Sequence, residues 1–314
     1  MPTYWDYLAL PELLSLQGGL EGDETQLMPD ELHFIVVHQV FELWFKLILR
    51  ELRLARDHLA APTLPEEQVP HVVHHLRRVT AIVGEMTNQF GIMETLTPQD
   101  FLAFRTKLVP ASGFQSFQLR EVEILLGLSE EQRRDPEFGD PIEGMRRFAE
   151  RSPAGSWALE RVAAAERETS LKAALATWLF RTPIDGSVPD RAGDSAVVGA
   201  FVDSYLSAQR LDHARQIARF TAVGALSPEA AEARFAAAEE ASRAFLAADD
   251  RDGDPRARRE RAAILFIESY RELPLLAWPR LLLDTIVELE SRLVLFRTRH
   301  ARMVERVIGR RLGT

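Results

Sequence analysis

The 314-residue chain contains no cysteine. Disulfides, thiolate metal centres and cysteine nucleophiles are therefore excluded. An excess of positive charge is also lacking: 38 Lys and Arg stand against 47 Asp and Glu, for a formal net charge of −9. A diffuse acidic balance speaks against nucleic acid or an anionic membrane as the partner. Few segments alternate apolar and polar residues as a half-buried strand would, and no repeat of solenoid period is present. Charges interrupt the apolar runs before the roughly 18 residues of a membrane span. The first residues carry no basic stretch followed by an apolar run, so no signal peptide is read and a cytoplasmic location is expected. Phosphate-binding Gly loops, HExxH and GxSxG are all missing.

What is present reads as helix. Apolar residues make up 46% of the chain and charged residues 27%, enough for a folded, soluble core. The pattern predicts a short helix at 9–17 after an aromatic N-terminal arm (1–20), then a Gly-rich turn at Gly18, Gly19 and Gly22. A long buried helix follows from about Asp30 to Ala61, apolar almost all round in its first half. A second runs from about Glu67 to Ile92. Thr97 is placed to cap a shorter one, with Pro98 at its first position. Further helices are expected at 116–128, 157–181, 195–224, 228–248, 256–273 and 279–308, with Gly309 as the last cap. Residues 129–156 are rich in Pro, Gly and charge. The reading is all-α: one large helical-bundle domain over 1–314, with 129–256 a more variable helical excursion.

Three helices share one device, an aromatic residue and a polar head four positions apart on one face: Phe34 with His38, Phe101 with Arg105, and Phe296 with His300. Such pairs suit a pocket that stacks a flat ligand and orients it with few polar contacts. Each polar head has two readings. His38 is a core histidine bonded to a carbonyl, or it faces a ligand. His300 is a surface histidine, or an axial ligand to haem iron. Arg105 forms an internal salt bridge with Asp100 or Glu94, or it clamps a substrate carboxylate bidentately. His71, His74 and His75 have helical metal-site spacing but no carboxylate in place, so a solvated face is the better reading. The DDRDGD loop fails as a calcium loop, because Ala248 and Arg259 fall where acidic ligands belong.

Taken together, the blocks YWDYLALPELLSLQ, DELHFIVVHQVFELWFKLILREL, METLTPQDFLAFRTKLVPASGFQSFQLRE and FRTRHARMVERVIGRRLGT resemble the tryptophan 2,3-dioxygenase family. The resemblance covers roughly 1–60, 79–128 and 284–314, and PASGFQS is its most distinctive run. It implies an all-α fold with a haem pocket, and haem b (iron) as cofactor. L-tryptophan and dioxygen are the implied partners, with N-formyl-L-kynurenine as product. By position, His300 would be the proximal iron ligand and His38 the distal histidine near the indole N–H. Phe34 and Phe101 would pack on the indole and Arg105 would hold the carboxylate. Thr314 would contact the substrate's ammonium and carboxylate, and Ser112 and Phe296 would line the haem pocket. The family is a homotetramer whose N-terminal arm enters a neighbour's active site, which would give Tyr4, Tyr7 and Leu8 that role.

The sequence departs from the family at several points. Phe296 replaces a tryptophan, losing an N–H donor beside the haem. Pro29 replaces a histidine, and Leu119 an aromatic residue. The family continues beyond Thr314 with a Gly/Ser-rich loop and a further helix, so truncation or omission is expected there. The departures leave mono-oxygenation of a tryptophan derivative, or a non-enzymatic haem protein, as alternatives.

Overall fold

The computed structural model describes residues 1–108, 116–134, 139–149 and 153–307, apart from the side chain of Phe148. Among these, every regular element is helical, and an isolated bridge joins Ile184 and Ser187. The helices are α1 (Tyr4–Tyr7), α2 (Leu10–Leu13), α3 (Glu31–Ala60), α4 (Val69–Met93), α5 (Pro98–Leu108), α6 (Phe117–Leu126), α7 (Glu130–Arg133), α8 (Pro141–Ala149), α9 (Pro153–Glu166), α10 (Leu171–Arg181), α11 (Asp194–Ala222), α12 (Pro228–Ala247), α13 (Pro255–Ser269) and α14 (Ala277–Val307).

Local chemistry accounts for where the chain departs from the sequence pattern. The arm is two single turns, not one helix over 9–17. Thr3 and Asp6 form a reciprocal capping box that winds Tyr4–Tyr7, and Ala9 adopts a left-handed conformation (φ 48°) that separates it from α2. Ser129 and Gln132 build a second capping box for α7. Asp140 accepts from the Ile142 N–H just ahead of Pro141, so helix forms inside the Pro- and charge-rich 129–156 stretch. The expected helix at 157–181 is broken between Glu166 and Leu171. There Glu168 turns its carboxylate to Arg53 (2.7 Å) and Arg56 (2.5 Å), while Thr169 and Ser170 are residue types that start helices rather than continue them. Gly18 is required where it stands: a Cβ would meet the Gly22 and Asp23 backbone at 2.4–2.5 Å.

The chain divides into two compact units. The first comprises Met1–His58, Pro70–Lys172 and Leu282–Thr314; the second comprises Leu59–Val69 and Ala173–Leu281. In the first, α3 and α4 supply the core, with Ile48, Leu49, Leu52, Leu76 and Met86 almost fully buried. Four phenyl rings (Phe41, Phe45, Phe90 and Phe296) pack together, with centroids 5.1–6.3 Å apart. In the second, the buried Arg259 guanidinium binds Asp194 at 2.8 and 2.9 Å and the carbonyls of Phe180, Thr182 and Ser187, which satisfies a charge that would otherwise be costly to bury.

Helix α3 is long and apolar enough to cross a bilayer, contrary to the sequence expectation, yet only 17% of its most apolar window is buried. The two charges in that window, Glu42 and Lys46, are too sparse to lower its hydropathy, but Glu42 is built into the fold. It accepts from Ser116 (2.7 Å) and Gln118 (2.8 Å) at the start of α6.

Candidate functional site

The site grows from one end of α3. Phe34 and His38 stack with centroids 4.0 Å apart. From α5, the buried rings of Phe101 and Phe104 lie 5.9 and 5.4 Å from Phe34. Thr97 holds α5 at its start by accepting from the Asp100 N–H at 3.2 Å. Lys107 ties its other end to Glu31 and Glu21, both at 2.9 Å. Arg105 is half-buried, with its guanidinium 6.0 Å from the Phe101 ring. The structure thus brings together Phe34, His38, Phe101 and Arg105.

His38 makes the carbonyl bond of the first of its two readings. Its Nδ1 lies 2.8 Å from the Phe34 carbonyl oxygen. A carbonyl can only accept, so Nδ1 carries the proton and Nε2 of the neutral ring keeps its lone pair. The residue as a whole is exposed. Apolar crowding pushes the imidazole pKa down, against the opposing pull of the Phe34 carbonyl and Glu42.

His300 sits on α14 beside Phe90 (5.7 Å) and Phe296 (6.4 Å). It is partly exposed, not a free surface side chain. Desolvation, with smaller contributions from the charges of His38 and Arg120, lowers its pKa to about 4. The ring is therefore neutral at pH 7, the form that ligates a metal. No hydrogen bond joins it to any described residue.

Sequence reasoning passed over Arg120. It is buried on α6, paired with Glu123 at 2.8 Å, and its Nε has no partner among the described residues. Burial lowers its pKa and raises that of Glu123. The opposite charges three residues apart in FQLREVE were the available signal. A neutral imidazole with no hydrogen bond to a described residue, aromatic walls and a buried guanidinium whose Nε has no partner among the described residues fit a flat, iron-containing group with carboxylate edges. Phe296 is not a donor; it belongs to the phenyl cluster and backs His300.

Tyr4, Tyr7 and Leu8 are exposed on α1 and its C-cap, and the arm is fastened to α3 through Gln17 and Gln39 (2.7 Å). Ser112, Thr314 and Gly309 lie outside the described residues. His75 is not on a solvated face. With Arg78 it holds the buried Glu51 at 2.6 and 2.8 Å, and His74 bonds Arg78 in turn. No metal-holding cluster of His and carboxylates occurs among the described residues.

Known proteins give the same picture from end to end. The family model described as tryptophan 2,3-dioxygenase matches residues 2–314. A Ralstonia nicotianae protein named tryptophan 2,3-dioxygenase 2 is 49% identical, over 99% of this chain and 85% of its own length. The Sorangium cellulosum tryptophan 2,3-dioxygenase is 46% identical, over 99% of this chain and 76% of its own. A tryptophan 2,3-dioxygenase-like protein of Xanthomonas campestris is 44% identical, over 70% of this chain and 81% of its own. The chain belongs to the tryptophan 2,3-dioxygenase family.

Proposed function

We propose that the protein is a haem-dependent dioxygenase that opens the indole C2–C3 bond of L-tryptophan to give N-formyl-L-kynurenine. The observation that carries this reading is a match to the family over residues 2–314, with a neutral His300 and an unprotonated Nε2 on His38 among aromatic side chains.

Haem iron, when bound, supplies the dioxygen chemistry. His300 would hold it through its unprotonated ring nitrogen, and Arg120 would meet a carboxylate edge. Phe34 and Phe101 present ring faces against which an indole stacks. The Nε2 lone pair of His38 accepts a hydrogen bond from the indole N–H. That proton is too weakly acidic for removal to be the main role of His38, so its work is orientation. Arg105, at the Phe101 edge of the site, supplies a fork matched to the substrate carboxylate. Thr314 and Ser112 keep their expected parts, at the ammonium and carboxylate and at the haem pocket respectively.

A cytoplasmic homotetramer is the proposed form. The large apolar side chains left exposed on the arm and on α3 (Tyr4, Tyr7, Leu8, Leu14, Leu32, Val36 and Leu43) support it, because exposed apolar surface of this kind is covered when subunits associate. Tyr4, Tyr7 and Leu8 would then complete a neighbour's site.

The test is an anaerobic tryptophan titration of the ferrous, haem-loaded protein, followed by admission of oxygen. The expected product carries both oxygen atoms with the ring open. A product with one added oxygen and an intact ring, or no turnover, would overturn the proposal.

A further inference from the structure

Away from the histidines, the first unit holds a cavity of about 560 Å³ between α3, α6 and α9. That volume is within the range that takes a small organic ligand. Two of its lining cations are already neutralised. Arg53 gives its charge to Glu168 at 2.7 Å, and Arg161 is bound to the fully buried Glu121 at 3.0 and 3.1 Å. The Arg161 guanidinium lies 5.6 Å from both the Phe117 and the Trp157 rings. Trp157 is nevertheless 51% exposed, so much of the indole remains open.

The rim is different. Lys46 and Arg50 stand one turn apart on α3, both exposed, and neither pairs with a carboxylate among the described residues. The one acid lining the cavity, Asp57, is held by Arg56 at 2.7 Å. Two uncompensated cations beside an open indole face favour a ligand with one anionic end and one flat apolar body.

We propose that this cavity is a second small-molecule site that binds a planar aromatic carboxylate, with its ring against Trp157 and its carboxylate between Lys46 and Arg50. A zwitterionic amino acid is the poorer ligand, because its ammonium would meet only cations and an acid already committed. Inorganic phosphate is poorer too, since it gains nothing from the aromatic wall. The site does not depend on the proposed reaction.

Indole-3-propionate is the probe, measured by calorimetric titration of the haem-loaded full chain in the Arg105→Ala background, which weakens its binding at the other site. One saturable site is expected. The Lys46→Ala/Arg50→Ala pair should weaken it at least about tenfold. Trp157→Ala should do the same, and Trp157→Phe should restore most of the affinity. L-tryptophan and phosphate should compete at least about tenfold less well. Unchanged affinity in the double variant, no saturable binding, or equal competition by tryptophan or phosphate would each overturn the proposal. Indole cleavage by the double variant with Arg105 intact should be unaffected, which separates this site from the catalytic one.

Discussion

The imidazole of His300 lies within 7° of parallel to the phenyl ring of Phe296, one turn back on α14, with centroids 6.4 Å apart. Phe296 is itself fixed among Phe41, Phe45 and Phe90. The ring at position 300 therefore rests on an aromatic wall that desolvates it without supplying a hydrogen-bond partner.

A pH dependence follows. The folded-state pKa of His300 is about 4, against an ordinary value of 6.5. Between those values the unfolded chain takes up a proton that the folded chain does not, so stability falls as pH falls through this window and is fully present above it. In the haem-free protein, His300→Gln should lose less melting temperature between pH 7.5 and pH 4.5 than the parent, and should also fail to give the axially ligated haem spectrum. Identical pH profiles for parent and variant would refute the assignment.

Arg105 is predicted to act on the carboxylate end of the substrate. Removal of a bidentate, charge-assisted contact costs about 2–4 kcal/mol, or roughly thirtyfold or more in kcat/KM. Arg105→Ala should impose that loss on L-tryptophan and little on indole analogues lacking the carboxylate. Steady-state kinetics on both substrates decide it, and equal losses would exclude the clamp.

Much of this was legible in the sequence because helical spacing carries it. The Phe34/His38, Phe101/Arg105 and Phe296/His300 pairs were visible as four-residue steps on apolar helices, and the structure places each pair on one helical face. The long helices at α3, α4, α11 and α14 ended within about three residues of expectation, as strong periodicity allows. What escaped depends on partners distant in sequence. Nothing near His75 announces that Glu51 will be buried beside it, 24 residues away. Nothing between α9 and α10 announces that Glu168 is drawn to Arg53 and Arg56 on α3. The burial of Arg120 comes from packing that its neighbours in sequence do not announce.

Glu51 illustrates what such partners are worth. Burial opposes its charge, but hydrogen bonds from His75 and Arg78 more than offset that, and the pKa ends below the usual carboxylate range. The stabilisation is thus present above the ordinary carboxylate pKa and lost as pH falls through the depressed folded value. Glu51→Ala should destabilise the fold by about 2 kcal/mol at pH 7, since hydrogen bonds to charged groups are lost and His75 and Arg78 are left facing an emptied site. Urea unfolding at pH 7 measures it, and a change below about 0.5 kcal/mol, the ordinary surface level, would show the network to be idle.

Phe296 offers the last test. Position 296 holds Phe where the resemblance implies tryptophan, and the residue is 5% exposed, with Phe90 only 5.1 Å away centroid to centroid. An indole at this position needs extra volume on a side already filled by three phenyl rings. Phe296→Trp should therefore destabilise the haem-free protein by about 1–3 kcal/mol through overpacking. Phe296→Leu, which removes ring contacts without adding bulk, should cost a comparable amount through lost packing. If Trp instead raises the melting temperature, the phenyl cluster must have room to open toward the haem side, and the view of Phe296 as a closed backing for His300 would have to be abandoned.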